Sequence, residues 1–337
     1  MAETMAETLY LLLNVALLVC AGISVVFWVR VLPVIFRQGV RGFADTWLPV
    51  RRRECPFWGV SEIFVMFGAM VVSGQLLLLL AQKKGWYRLP EPGETLADQA
   101  PQMLFVVLVI SALGNCVAIG IILLWMWNLG RDNLGKFGLA INRSKIGLGV
   151  KAAVVLLPPV LAVAALVNLL VADYEHEVLD VLQRLRSPDV FAAMFFGTAI
   201  VTPIAEEILF RGLIQGGLQR LADGIAGLVK SAESELAHDQ QSANGANDPA
   251  VAENSIGISP EEEASTPGNW QPVTYWPVFA ASAIFACMHL GQGAAPIPLF
   301  LLSVGLGYLY RQTGSLIPCI VVHMILNGMT LLAATLQ

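Results

Sequence analysis

The chain has 337 residues, of which 56% are hydrophobic and only 13% charged, and its mean hydropathy is +0.67. An ordinary soluble domain carries about 25% charged residues, so this composition excludes a water-soluble globule of this size. A formal net charge of -5 and an isoelectric point near 5.4 argue against nucleic acid as a partner.

Apolar runs of about 18 residues or more can cross a bilayer as helices. Eight such runs follow one another, at roughly 9–36, 60–81, 102–128, 149–172, 190–219, 273–291, 294–312 and 315–336. They predict an all-α, polytopic transmembrane bundle of about eight spans. The first is not read as a cleaved signal peptide, because its leader carries Glu3 and Glu7 and no basic residue, and the run is too long. Cys20, Cys116, Cys287 and Cys319 fall within apolar runs, and with Cys55 they form no CxxC pair. Small apolar packing is the better reading of them than disulfides or a thiolate metal site.

Lysine and arginine in short loops tend to stay cytoplasmic. The loop after the first span carries Arg37, Arg41, Arg51, Arg52 and Arg53, and the loop after the third carries Arg131, Lys136, Arg143 and Lys145. The loop after the fourth is acidic, with Asp173, Glu175, Glu177 and Asp180. This pattern predicts an outside N-terminus, with 37–59, 129–148 and 220–272 in the cytoplasm. Within the last of these, 221–272 is rich in Ser, Ala, Asn, Glu and Pro and has no apolar periodicity. Such a segment cannot bury enough surface to offset its chain entropy. It is expected to be a disordered cytoplasmic insertion, with His238 a solvated side chain.

Several features inside the spans call for comment. Pro158 and Pro159 are expected to kink the fourth. Gly212 with Gly216, and Gly305 with Gly307, suggest close helix packing. The fifth span carries Glu206, Glu207 and Arg211. A charge at the bilayer centre costs about 2.5–3.5 kcal/mol on insertion scales, so three together must face a protein interior or a water-filled cavity. Glu207 and Arg211 are four apart, acid first, which suits a same-face ion pair. Glu206 is turned about 100° from Glu207 and is left free for chemistry.

Downstream, Phe285 and His289 are four apart, as are His323 and Asn327. One free carboxylate, two imidazoles and a carboxamide can perform hydrolysis. A carboxylate and a histidine polarise a water; a histidine and an asparagine donate to a developing oxyanion. Taken singly, the His–Asn pair reads equally as interhelical glue and the Glu–Arg pair as a buried brace. Two histidines and a glutamate also match zinc ligand types, but no HExxH spacing is present. No metal or cofactor is therefore expected, zinc being the alternative.

EEILFR (206–211), FACMH (285–289) and HMILN (323–327) resemble the ordered motifs EExxxR, FxxxH and HxxxN of the CAAX prenyl protease and bacteriocin-processing family, also called the Abi family. Its eukaryotic members are Ras-converting endopeptidases. The stretch 305–323 is similar to the family's segment before the last histidine. The resemblance spans about 145–337 and makes this region a catalytic membrane domain, preceded by a region 1–144 of three spans and unknown role. It implies an intramembrane glutamate-type endopeptidase of the cell membrane. Glu206 and His289 would activate water, His323 and Asn327 would form the oxyanion site, and Glu207 and Arg211 would position it, with Phe285 in support. The expected partners are a peptide or membrane-protein substrate, prenylated or a leader peptide, and the lipid bilayer.

Two other functions fit the same residues less well. One is a non-catalytic scaffold or self-immunity protein that binds a peptide or protein partner. The other is a proton-coupled transporter, although no inverted repeat is visible. One tension stands in the leading reading. Alternating spans put Glu206 and His323 in the cytoplasmic half and His289 near the far end of its run, so the three meet only if the sixth segment is short, tilted or partial.

Overall fold

The computed structural model describes residues 2–90, 100–170, 187–244 and 268–336. Every long described element is a helix: α1 (Ala2–Trp47), α2 (Val60–Lys83), α3 (Pro101–Leu129), the single turn α4 (Asn133–Lys136), α5 (Arg143–Leu170), α6 (188–244), α7 (Trp276–Cys287), α8 (Pro296–Thr313) and α9 (Leu316–Leu336). The all-α bundle is as the apolar runs predict. Six described helices are long and apolar enough to span a membrane, and the sixth and seventh apolar runs form the shorter or less apolar helices α7 and α8. α7 has only 12 residues, a rise of about 18 Å against a hydrocarbon core of about 30 Å. α8 ends in Arg311, Gln312 and Thr313, which lower its hydropathy.

The polar stretch also begins later than its composition suggests. α6 continues to Asn244, because Leu221, Ile225, Leu228 and Val229 keep a helical apolar spacing among the polar residues. Residues 245–267 of the expected insertion, and the acidic loop at 173–180, lie outside the described residues.

The ends of α1, α3 and α8 and the starts of α2, α5, α7 and α9 meet at one face, where the basic loops gather. Arg51 N–H donates to the Gln312 carbonyl at 2.8 Å, Arg53 pairs with Trp270 in an isolated antiparallel bridge, and Leu316 N–H donates to the Gly138 carbonyl at 3.1 Å. Arg311, almost fully buried, donates to the carbonyls of Pro272, Val273 and Thr274 and to Asp45, and lies 3.6 Å from the centroid of the Tyr275 ring. Residues before 145 are thus knitted into the face through Asp45, Arg51 and Arg53.

Three helix features follow from single residues. Gly39 (φ 74, ψ 161) breaks α1, a conformation glycine adopts without a Cβ penalty. The end of the helix turns back so that Trp47 packs edge-on against Phe27, ring centroids 4.6 Å apart. α5 runs through Pro158 and Pro159. Pro159 has no N–H for the Val155 carbonyl four residues back. Ser24 Oγ and Trp28 Nε1 of α1 donate to that carbonyl instead, at 2.8 and 3.2 Å.

Gly212 and Gly216 do give close packing, but against rings rather than a neighbouring helix. A Cβ on Gly212 would lie 2.6 Å from Phe137, and one on Gly216 would lie 2.8 Å from Trp58 Nε1, which donates to the Gly212 carbonyl. Gly216→Ala should therefore displace the buried indole and break that bond. The expected loss is about 1–3 kcal/mol, read as a lowered Tm in detergent; an unchanged Tm would show that Trp58 does not depend on this contact.

Candidate functional site

The site starts from the way Pro203 is accommodated in α6. Two π-helical stretches, Phe195–Val201 and Ile208–Gln215, flank the α-turns of Thr202–Glu207, and such widened turns often mark functional sites. Thr202 N–H bonds the Gly197 carbonyl five residues back. The next partner in that register, for the Thr198 carbonyl, would be Pro203, which has no N–H. Asn327 Nδ2 of α9 takes the place, donating to the Thr198 carbonyl at 2.9 Å. That bond ties α9 to α6 and leaves the second amide hydrogen of Asn327 uncommitted.

Four residues on, Glu206 and Glu207 leave the helix in different directions. Glu207 is fully buried, and its carboxylate is shared: Oε2 accepts from Arg211 Nε at 3.1 Å and Oε1 accepts from His323 Nδ1 at 2.9 Å. A carboxylate only accepts, so this bond assigns a proton to Nδ1 of that imidazole. His323 Nε2 then faces Glu206 Oε2, 3.5 Å away. Glu206 keeps 20% side-chain exposure where Glu207 has none. It is the carboxylate of the pair that a water can reach.

Phe285 is the hub. Its ring lies 5.0 Å from Phe210, 4.8 Å from His289 and 6.0 Å from His323, centroid to centroid. The Arg211 guanidinium carbon sits 5.3 Å from the same ring centroid, so the cation is held by Glu207 on one side and a π-face on the other. Neither Arg211 Nη1 nor Nη2 has a hydrogen-bond partner. His289 follows the end of α7, with Nδ1 2.8 Å from the Phe285 carbonyl. A carbonyl cannot donate, so Nδ1 carries the proton and Nε2 is free to act as a base.

The short α7 removes the depth problem. Entering from the basic face, it goes only partway in and stops near the level that Glu206 and His323 occupy. His289, at the end of a run that looked like a full crossing, thus sits beside the Phe285 ring together with Arg211 and His323. Glu206, Glu207, Arg211, Phe285, His289 and His323 form one connected cluster, and Asn327 is one helical turn beyond His323. Among the described residues, no three His, Cys, Asp or Glu side chains are placed to hold a metal ion together.

Two participants escape a motif reading. The Thr198 carbonyl is backbone, and its need for a donor shows only in the spacing to Pro203. Gln215 follows Arg211 by four and is 1% exposed, with Nε2 donating to the Gly307 carbonyl at 2.8 Å; its placement four residues after a buried arginine was the available signal.

The family model described as "Type II CAAX prenyl endopeptidase Rce1-like" matches residues 188–250 and 263–329. No curated protein and no solved structure matches the chain.

Proposed function

We propose that the chain is a multi-pass intramembrane endopeptidase in which Glu206 and His289 activate the attacking water, a reading supported by the match of residues 188–250 and 263–329 to the Rce1-like family model of type II CAAX prenyl endopeptidases. Six membrane-length helices support the setting. The observation that carries the reading is the division of labour between adjacent carboxylates: Glu207 is consumed by Arg211 and His323, and Glu206 is not.

In this mechanism Glu206 takes a proton from water while His289 Nε2 orients it, and the hydroxide adds to the scissile carbonyl carbon. The carbonyl oxygen becomes an oxyanion and accepts hydrogen bonds from the uncommitted Asn327 N–H and from Nε2–H of His323, which acts as the imidazolium between the two glutamates, with its other proton on Nδ1. Glu207 holds the ring by Nδ1, so that Nε2 projects toward the reaction. Collapse of the intermediate breaks the C–N bond, and the proton held by Glu206 passes to the leaving amine. Products are a free carboxylate and a free amine.

The substrate is a peptide or membrane-protein segment cut near its C-terminus or close to the membrane surface. The protein lies in the cell membrane with the basic loops at 37–59 and 129–148 in the cytoplasm. Comparison of peptide termini between membranes carrying the wild type and Glu206→Gln identifies the substrate: termini that appear only with the wild type support the reading, and identical profiles overturn it in favour of a binding scaffold. No metal takes part in this scheme. Purified protein treated with a strong chelator is expected to cleave at an unchanged rate, and activity lost to the chelator and restored by zinc would replace Glu206-activated water with metal-bound water.

A further inference from the structure

Hydrolysis inside a membrane needs a route for water, and the interior of α6, α7 and α8 carries the groups for one. Along α6, Glu207, Arg211, Gln215, Gln219 and Asp223 recur every fourth residue. The first four are each at most 3% exposed. In a pure α-helix every fourth residue drifts about 40° round the axis; the wider π-turns of Ile208–Gln215 turn the ridge back the other way, so it stays against α7 and α8.

Those helices match it in register. In the middle layer Gln215 Nε2 donates to the Gly307 carbonyl, and a Cβ added to Gly307 would meet Gln215 Oε1 at 2.8 Å and Val278 at 2.9 Å. Toward the basic face, four residues along each helix, Gln219 Nε2 donates to Thr274 and Arg311 Nε donates to the Thr274 carbonyl. The ridge then ends at Asp223, which accepts from Val273 N–H, Thr274 N–H and Thr274 Oγ1 at the partly open surface. Four residues inward, the same register sets Arg211, Ser282 and Ser303 in one layer.

The polar atoms of this seam outnumber their protein partners. Arg211 Nη1 and Nη2, Gln215 Oε1, Gln219 Oε1, Ser282 Oγ and Ser303 Oγ are all buried without a hydrogen-bond partner. They include every such buried side-chain atom among the described residues, and all six sit on this one register. Buried polar groups are almost always satisfied, by ordered water where the protein supplies no partner.

We propose that the seam between α6, α7 and α8 binds a file of ordered waters that runs from the surface at Asp223 past Gln219, Gln215, Ser282 and Ser303 to Arg211, and delivers the water that the catalytic carboxylate activates. The delivery step rests on the endopeptidase reading; the water file itself does not.

X-ray radiolytic footprinting of the intact protein separates the two, because interior waters generate hydroxyl radicals where they sit. Val278, at the Gln215 layer, and Val160 on α5 are the same residue type and similarly buried, at 2% and 4%. Val278 should be oxidised several-fold faster than Val160, and equal rates overturn the proposal whatever the enzyme does. Gln215→Leu, and separately the nearly isosteric pair Ser282→Ala with Ser303→Ala, should remove that excess labelling and lower kcat about tenfold at unchanged KM. Lost labelling with unchanged kcat overturns delivery by this route. Should Gln215→Leu fail to fold, the serine pair and the wild-type footprint still decide.

Discussion

Glu206→Gln is expected to abolish peptide cleavage while the helical bundle forms and inserts as in the wild type. The substitution keeps size and shape but removes the group that takes the proton from water. A positioned general base contributes about 10²–10⁴ in rate, so kcat should fall by at least two orders of magnitude, with KM little changed. Stability should hold because Glu206 is the partly exposed carboxylate, with one contact to His323 at 3.5 Å rather than a buried pair to break. Single-turnover cleavage of a substrate identified from peptide termini measures the first effect, and thermal unfolding in detergent the second. Retained cleavage would sink the assignment of Glu206. A partner-binding scaffold would show undiminished capture in the same variant.

Arg211→Met should have the opposite character: a large stability loss, with activity lost as a consequence. Arg211 and Glu207 are both fully buried, and among the described residues Arg211 is the only lysine or arginine paired with that carboxylate. Removing one partner of a buried ion pair leaves an uncompensated charge and costs about 3–5 kcal/mol. The long apolar side chain of Met keeps most of the contact with Phe285, so the loss reports charge rather than a cavity. Glu207→Gln in the same background should recover much of it, because the uncompensated charge is then gone; the cycle gives the coupling energy of the pair. Additive losses in the double variant would show that Glu207 and Arg211 do not act as a pair. The contrast between the two neighbours is the sharper test: Glu206 should matter to the reaction and Glu207 to the scaffold.

Much of this protein is local and therefore legible in the residues. The apolar runs yield helices because a chain in lipid must satisfy its backbone hydrogen bonds within each segment. The pairing of Glu207 with Arg211 follows from one helical turn. The order of the three motifs points to the family whose model matches the same region. Composition misreads the start of the polar stretch, since helix α6 carries its register to Asn244 on four widely spaced apolar residues.

The remainder depends on contacts between distant residues. A run of apolar residues states that a segment is buried, not whether neighbouring helices or lipid bury it, so the half-crossing α7 reads like a full span. Asn327 looks free for an oxyanion, yet one of its hydrogens serves a carbonyl 129 positions away. Glu207 gains a second partner, His323, from 116 positions away. Phe137 and Trp58 fill the glycine notches of α6 from loops before the motif region. The sequence alone determined the fold class and the three motifs that carry the family resemblance, because helical periodicity and membrane hydropathy act over a few residues. Only the tertiary structure decided that His323 is the second partner of Glu207 and that His289 and His323 meet around the Phe285 ring, because both depend on where a short helix stops and on what packs against it.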